Sequence, residues 1–232
     1  MPPNAPRKPF VHAFSTVTLD ARLASKTGYS KLSCPHDLRR LHQLRAKYGA
    51  VMVGANTVLV DNPRLNLKYV KGENTVRIVV DGALRTTPHH RVYDDSAPTI
   101  LVTSSEGVAS NPRKAEELEA RGVRLLVLEP VEGTRIPLAK AMEELASLGI
   151  RGVLVEGGGR LLWGLLRERL IDRISITYVG TVYGSGPSLF EGEGFAGPEA
   201  PLMRPLKVLL CPCGREIHVE LEPVYGKGYL EG

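Results

Sequence analysis

The chain has few cysteines, few aromatic residues and no long apolar run at its start. Only three of its 232 residues are cysteines, and Cys211 and Cys213 stand one residue apart with Cys34 far upstream. This spacing fits neither a disulfide framework nor a four-ligand metal pattern. Residues 1–9 contain several prolines and two cations, so we expect a flexible tail that is neither a signal peptide nor a membrane anchor. These absences predict a soluble, cytoplasmic protein without a metal.

The net charge is +5, yet aromatic residues make up only 6% of the chain. Arginines are scattered, and no basic stripe carries interleaved stacking residues, which argues against nucleic acid as the partner. A basic cleft for a multiply phosphorylated small ligand explains the same charge, because such ligands carry several negative charges. The six histidines offer no metal set, since His89 and His90 are adjacent and the others are scattered.

Apolar runs rich in Val, Ile and Leu alternate with helical patterns, which is typical of a mainly parallel sheet with helices on both faces. We therefore predict an α/β fold with a single domain over residues 10–232. The predicted strands are Phe10–Val17, Ala50–Gly54, Val76–Asp81, Thr99–Thr103, Val123–Leu128, Gly152–Glu156 and Arg173–Val179. Two alternating runs, Leu206–Leu210 and Glu216–Leu221, predict an antiparallel strand pair at one sheet edge.

Three helices are predicted between these strands. The first begins with Ser33 as N-cap and Pro35 in its first turn, and it runs to Tyr48. The other two run from the Asn111-Pro112 pair to Gly122 and from about Pro137 to Leu148.

The most informative stretch reads as a strand, a glycine turn and a helix, and it runs from Val153 to Trp163. Gly157, Gly158 and Gly159 let a ligand approach the backbone, and the following helix adds the positive end of its dipole, so a pyrophosphate fits there. A tight turn without a ligand is the alternative interpretation. The dinucleotide fingerprint of the Rossmann fold does not fit, because Leu162 stands where its third glycine is needed.

A second stretch, Val51–Leu65, combines a buried strand with a short polar helix. The strand ends at Gly54, and Thr57 and Asp61 are four residues apart on one face of a helix that Pro63 terminates. Both side chains can therefore reach one ligand. Ordinary capping or turn residues are the alternative.

Together these segments resemble the reductase family that converts 2,5-diamino-6-ribosylamino-4(3H)-pyrimidinone 5′-phosphate to its ribitylamino product in riboflavin biosynthesis. The resemblance is carried by Val-Gly-x-x-Thr-Val-x-x-Asp-x-Pro-x-Leu, by Val-Glu-Gly-Gly-Gly, by the opening strand over 15–24 and by the segment 77–85. It implies a dihydrofolate-reductase-like fold, NADPH as cofactor with NADH as the alternative, and a homodimer. The His-x-Glu and Pro-Cys-x-x-Cys elements of a fused zinc deaminase are missing, so the chain is similar to the stand-alone archaeal and fungal form.

The resemblance also implies which residues meet the cofactor. Thr57, Asp61 and the turn Gly157–Arg160 would hold NADPH, with its pyrophosphate on the glycines and the start of the next helix. Arg85 would pair with the 2′-phosphate through a planar guanidinium. The full implied set of cofactor residues is Lys31, Thr57, Asp61, Gly82, Ala83, Leu84, Arg85, Ile136, Gly157, Gly158, Gly159 and Arg160. For Arg85 a solvated surface arginine is the alternative, and for Ile136 it is a plain core position.

On the substrate side, Arg45 and Lys68 would receive the ribose 5′-phosphate. The implied substrate residues are Tyr29, Ser33, Arg45, Leu65, Lys68 and Glu156, and Glu156 and Asp20 are the candidate catalytic carboxylates. Glu156 ends an apolar strand and needs a partner, for which a polar substrate is the natural choice. Hydride would pass to the anomeric carbon of the ring-opened imine, and either carboxylate would donate a proton or stabilise the iminium. No metal takes part.

Three other functions compete with this hypothesis. A dihydrofolate or pterin reductase would share the fold and the glycine turn, but a pterin carries no phosphate for Arg45 and Lys68. A non-catalytic NADP-binding protein would bind the cofactor without consuming it. A basic nucleic-acid binder would bind duplexes with a steep salt dependence.

Overall fold

The computed structural model of the protein describes residues 8–226. Its contacts divide the chain into two compact units, the first comprising residues up to Phe10 and His42–Gly158, and the second Val11–Leu41 and the residues from Gly159 onward. Most of the predicted tail, residues 1–7, lies outside the described residues. A single domain over 10–232 stays a prediction.

The first unit is built on parallel strands, as the apolar runs predict. Their order is β5-β4-β3-β2-β6, and each neighbouring pair runs parallel, with Val51 opposite Leu154 where β2 meets β6. The strands are β2 (Ala50–Gly54), β3 (Val76–Val80), β4 (Thr99–Ser104), β5 (Arg124–Leu128) and β6 (Gly152–Val155). The first four residues of β2 and all of β4 and β6 are buried, which explains why these strands read as continuous apolar runs.

The helices of the first unit follow these strands. They are α2 (Ala55–Asp61), α3 (Ser105–Ser110), α4 (Pro112–Ala120) and α5 (Leu138–Ser147). The predictions of α4 and α5 are confirmed within one or two residues, and Pro112 occupies the first turn of α4. The sequence analysis missed α3, whose N-cap is Ser104, because it is a short helix capped by the last residue of a strand.

The second unit carries both parallel and antiparallel pairs. Its strands are β1 (Phe10–Thr18), β7 (Arg173–Val179), β8 (Leu202–Leu210) and β9 (Glu216–Val224), in the order β1-β7-β9-β8. β1 and β7 are parallel, whereas β9 runs antiparallel to both β7 and β8. This confirms the predicted C-terminal pair, which is longer than the sequence analysis expected. Helix α6 (Gly159–Arg167) follows the glycine turn.

The N-cap of the first helix was assigned to the wrong residue. Helix α1 spans Pro35–Tyr48, so Cys34 and not Ser33 occupies the cap position. Leu38 N–H donates to the Cys34 carbonyl at 3.0 Å, and Asp37 N–H points to Cys34 Sγ at 3.5 Å. The Ser33 hydroxyl instead forms a hydrogen bond with the Thr16 hydroxyl, with 2.8 Å between Ser33 Oγ and Thr16 Oγ1. In the part of the chain that the structure describes, no helix is long and apolar enough to cross a membrane.

Candidate active site

The strand order of the first unit places a topological switch point between β2 and β6. After β2 the chain adds β3, β4 and β5 on one side, and it then returns to place β6 on the other side of β2. When the loops that follow two neighbouring parallel strands run to opposite sides, they separate at the carboxyl ends of those strands. This position is called a topological switch point, and ligands of open α/β sheets bind there. Here β2 ends at Gly54 and β6 ends at Val155. The two stretches singled out in the sequence, Val51–Leu65 and Val153 to Trp163, therefore both include a strand end at this point.

The glycine turn and the start of α2 lie side by side at this point. Gly54 N–H reaches the Gly157 carbonyl at 3.5 Å, and a Cβ atom added to Gly158 would lie 3.5 Å from Thr57 Oγ1. Gly157 and Gly158 have φ angles of 110° and 86°, a region that favours glycine. A Cβ at Gly157 would meet no atom within 4 Å, so the space beside this residue is open for a ligand. The adjacency on which the dinucleotide hypothesis depends is therefore present.

Thr57 and Asp61 share one face of α2, as their spacing predicts. Thr57 is half-buried and Asp61 is exposed. The helix ends where Asn62 adopts a left-handed conformation, with φ 43°, and Pro63 follows. Both side chains therefore belong to the first unit, and Thr57 stands next to the glycine turn.

Glu156 has a protein partner, which corrects the expectation that a polar substrate supplies it. Arg45 Nε donates to Glu156 Oε1 and Arg45 Nη2 donates to Glu156 Oε2, both at 2.5 Å. Both side chains are about nine-tenths buried, with exposures of 10% and 9%. Burial alone would lower the pKa of Arg45, but the charge and hydrogen bonds of Glu156 raise it. Arg45 is thus held by a bidentate ion pair.

The third guanidinium nitrogen of Arg45 also has a protein partner. Arg45 Nη1 donates to the Asn66 carbonyl at 2.8 Å, which ties the segment after α2 to the ion pair. These hydrogen bonds use three of the five N–H groups of Arg45, so the phosphate contact expected from the sequence would have to use the second N–H of Nη1 or Nη2. The exposed ammonium group of Lys68, which lies over the ring of Tyr69, is the more accessible cation.

His42 is a buried neighbour of these cations that is missing from the site residues predicted from the sequence. Its Nδ1 accepts a hydrogen bond from Lys68 N–H at 3.0 Å, and its ring stands edge-on to Tyr69. Burial, followed by the charges of Arg45 and Lys68, lowers the pKa of His42 to about 4. The imidazole is therefore neutral at neutral pH and acts as an acceptor.

Replacing His42 by glutamine is expected to flatten the pH dependence of stability below neutral pH. The imidazole has its ordinary pKa of 6.5 in the unfolded chain and about 4 in the folded protein, so the unfolded state binds more protons between these values. The free energy of unfolding should therefore fall as pH drops through this window, by about 3 kcal/mol from this group. Urea unfolding at several pH values measures this change in the free energy of unfolding. The exposed His89→Gln variant should keep the wild-type slope, and an equal slope for His42→Gln would contradict the assignment.

Gly82, Ala83, Leu84, Arg85 and Ile136, which belong to the expected cofactor set, are only partly accessible. Leu84 and Ile136 are buried, with exposures of 0% and 6%, so Ile136 is a core position. A Cβ at Gly82 would lie 1.8 Å from the Thr134 carbonyl, so this glycine is required by close packing. Arg85 is half-exposed, and its Nε lies 3.8 Å from Asp81 Oδ1. Ala83 and Arg85 are thus the side chains that remain accessible.

Leu65 does not present its side chain to a ligand. It has a positive φ of 59° and is only 4% exposed. It packs in the apolar core with Val51, Val53 and Val58. A substrate contact at this residue would have to come from its backbone.

The other predicted site residues belong to the second unit. Asp20 accepts hydrogen bonds from Thr18 Oγ1 at 2.6 Å, Gly184 N–H at 2.8 Å and Tyr183 N–H at 3.1 Å. The hydrogen bond from Thr18, reinforced by those backbone donors, lowers the pKa of Asp20 to about 2. Asp20 is therefore an anion at neutral pH and unsuited to donating a proton.

The remaining side chains of this unit are mostly open to solvent. Tyr29 and Lys31 are exposed. Arg160 is also exposed, and its Nε lies 3.7 Å from Glu191 Oε1. A Cβ at Gly159 would lie 2.3 Å from the Ser188 carbonyl, so this third glycine of the turn is required by packing and not by its φ angle.

The sequence matches a known protein family over most of its length. The sequence profile of the RibD C-terminal domain matches residues 9–216. The 2,5-diamino-6-ribosylamino-4(3H)-pyrimidinone 5′-phosphate reductase of Methanothermobacter thermautotrophicus is 38% identical over 193 residues, which cover 81% of this chain and 86% of that protein. The reductase of the same name from Archaeoglobus fulgidus is 33% identical over 203 residues, covering 81% of this chain and 89% of that protein.

Solved structures are similar over almost the whole chain. A diaminohydroxyphosphoribosylaminopyrimidine deaminase/5-amino-6-(5-phosphoribosylamino)uracil reductase from Thermotoga maritima has a TM-score of 0.74 at 27% identity, covering 94% of this chain and 57% of that one. The Saccharomyces cerevisiae riboflavin biosynthesis reductase Rib7 has a TM-score of 0.72 at 21% identity, covering 95% and 92%. The second likeness supports the fold alone.

Proposed function

Because the chain belongs to the RibD C-terminal domain family, we propose that it is an NADPH-dependent reductase of 2,5-diamino-6-(5-phosphoribosylamino)pyrimidin-4(3H)-one in riboflavin biosynthesis. The relatives that share this name are covered over most of their length, so an oxidoreductase activity follows from family membership. The choice of cofactor, the substrate and the route of the hydride are the parts that we propose.

One observation carries the proposal: the glycine turn touches the start of α2 at the switch point of a parallel sheet. Gly157 leaves room for a ligand to approach the backbone, and the first turn of α6 presents amide groups without helical partners. Such amides and the helix dipole stabilise a pyrophosphate. Thr57 would bind the dinucleotide beside these amide groups. Asp61, on the same face of α2, would bind it as well.

The residues present fit a nicotinamide dinucleotide, whose reduced ring supplies the hydride when it is bound. The chain's own task is to position the anomeric carbon of the ring-opened imine and to exclude water. Glu156 would face the developing positive charge as a fixed carboxylate, because both of its oxygens already accept hydrogen bonds from Arg45. Asp20, with a pKa lowered to about 2, would likewise act as a charge and not as an acid. Lys68 would bind the ribose 5′-phosphate.

Replacing Arg85 by serine is expected to change the cofactor preference. If this half-exposed guanidinium pairs with the 2′-phosphate, its loss should raise the KM for NADPH by about 10–100-fold, the equivalent of a charged hydrogen bond. The KM for NADH should stay the same, because NADH carries no such phosphate. The matched control is Arg91→Ser, another exposed arginine of the first unit. Equal losses with both cofactors would refute the role of Arg85.

The decisive experiment mixes the purified protein with the diaminopyrimidine substrate and NADPH or NADH, and follows the loss of absorbance of the reduced cofactor. Oxidation that depends on this substrate supports the proposal. Turnover of dihydrofolate but not of the ribosylamino-pyrimidine would favour a pterin reductase. Binding of NADPH without turnover of any substrate would favour a non-catalytic NADP-binding protein.

A homodimer and a cytoplasmic location belong to the same proposal. Strand β8 lies at the end of its sheet and exposes a row of apolar side chains, of which Val208 and Leu210 are 61% and 71% exposed. Such an edge favours contact with a second copy of the chain. Analytical ultracentrifugation at several protein concentrations would measure the oligomeric state, and a monomer throughout would refute the dimer. The cytoplasmic location rests on the metabolic relatives.

A further inference from the structure

Four potential metal ligands come together in the second unit. One ligand atom each from Cys34, Cys211, Cys213 and Glu216 lies within 4.8 Å of all the others. Cys34 is the N-cap of α1, Cys211 and Cys213 belong to the turn that joins β8 and β9, and Glu216 is the first residue of β9. Cys34, Cys211 and Glu216 are buried, and Cys213 is half-buried. None of these side chains has a role in the proposed reductase reaction.

The distances suit a tetrahedral thiolate site. Cys34 Sγ and Cys211 Sγ are 3.6 Å apart, and all three cysteines are free thiols. In a tetrahedral zinc site with Zn–S bonds of about 2.3 Å, neighbouring sulfur atoms are separated by about 3.8 Å. The two sulfurs therefore already lie at the separation of two ligands of one ion.

Glu216 provides an independent sign of a missing partner. Its side chain is 3% exposed, and Oε1 accepts a hydrogen bond from Cys34 N–H at 2.7 Å. The other oxygen, Oε2, is buried and without a hydrogen-bond partner among the described residues, as is Nε2 of the neighbouring His218. These two atoms are 3.7 Å apart. Because a buried carboxylate oxygen without a partner is costly, a bound cation would resolve this arrangement.

We propose that Cys34, Cys211 and Cys213 bind one Zn²⁺ ion, with the carboxylate of Glu216 as the fourth ligand. Binding displaces the thiol protons into solvent and leaves thiolates on the metal. All four coordination positions would be filled by protein, which is the pattern of a structural site. His218, next to Glu216, would orient that carboxylate from outside the coordination sphere. The ion would connect the start of α1 to the β8–β9 turn.

A disulfide between Cys34 and Cys211 is the competing use of the same atoms. Cys34 Sγ and Cys211 Sγ lie 3.6 Å apart as free thiols, well beyond the about 2.05 Å of an S–S bond. Oxidation would also leave Glu216 Oε2 without a partner. The metal accounts for all four residues, whereas the disulfide accounts for two.

The test starts from the full chain, produced in zinc-supplemented medium and purified under a non-thiol reductant. We expect about one zinc ion per chain by elemental analysis, and intense thiolate-to-metal absorption after replacement of zinc by Co²⁺. Removal of the metal with a chelator should lower the melting temperature by about 5–10 °C. Cys213→Ser should weaken metal binding by more than about 100-fold, since even changes outside the ligand shell cost about 10–100-fold.

His36→Gln is the matched control, because His36 is an exposed potential ligand two residues from Cys34 and stands outside the cluster. It should keep the zinc and the Co²⁺ spectrum. If Cys213→Ser fails to fold, the wild-type spectrum and the effect of the chelator decide the question. A folded, reduced wild-type protein that takes up neither zinc nor Co²⁺ would overturn the proposal. A Co²⁺ spectrum without thiolate absorption, or a native Cys34–Cys211 disulfide found by mass spectrometry, would do the same.

Discussion

Replacing Arg45 by methionine is expected to lower the free energy of unfolding by about 3–5 kcal/mol, because it leaves the buried carboxylate of Glu156 without its cation. Methionine keeps the volume of the aliphatic stem, so the loss reports the charge and its hydrogen bonds more than a cavity. Urea unfolding at neutral pH measures the change. Arg39→Met, an exposed arginine of the same helix, should stay within about 0.5 kcal/mol of the wild type.

A double-mutant cycle separates the ion pair from the proposed catalytic role of Glu156. Glu156→Gln should also destabilise the protein, but the double variant should lose less than the sum of the single losses, because the two side chains contact each other directly. If Glu156 stabilises the iminium, turnover of folded Glu156→Gln at saturating NADPH should fall by at least about 100-fold. Turnover near the wild-type rate would reduce Glu156 to a structural partner of Arg45. An Arg45→Met protein as stable as the wild type would contradict the buried pair itself.

Replacing Arg77 by methionine is expected to have an effect of similar size, also about 3–5 kcal/mol. Arg77 lies in β3 with an exposure of 0%. Its guanidinium donates to Asp94 Oδ1 at 2.7 Å, to Thr99 Oγ1 at 2.8 Å and to the carbonyl groups of Asp94 and Ala97. Methionine would remove all of these donors, although Ser96 N–H and Ser96 Oγ would still donate to Asp94 Oδ1. The lost hydrogen bonds add to the loss of the ion pair.

The matched control for this variant is Arg124→Met, an exposed arginine in β5 of the same sheet. It should change the free energy of unfolding by no more than about 0.5 kcal/mol. Thermal or urea unfolding compares the two proteins. Equal stabilities of both variants would show that the buried network around Arg77 contributes little, and that its partners find water instead.

Local features were predictable because they depend on residues close together in the chain. β2 and β7 have the bounds that their apolar patterns predict, and the polar face of α2 follows from the spacing of Thr57 and Asp61. The positive φ angles of Gly157 and Gly158 agree with the prediction of a turn that glycine favours. The N-cap of α1 was misassigned by one position, because Ser33 is a common cap residue but its hydroxyl is bonded to Thr16.

The amino-acid order by itself determined the α/β class, the apolar pattern of the strands and the local form of the glycine turn and of α2, since periodicity and turn chemistry act over a few residues. Only the tertiary structure decided which polar groups meet. Arg45 and Glu156 are 111 positions apart, and Cys34 and Cys211 are 177 apart. No local pattern predicts such pairs, because their members are brought together by the packing of distant elements: the end of a parallel strand for Glu156, and the β8–β9 hairpin for Cys211. Once the polar groups are buried, each of them needs a partner.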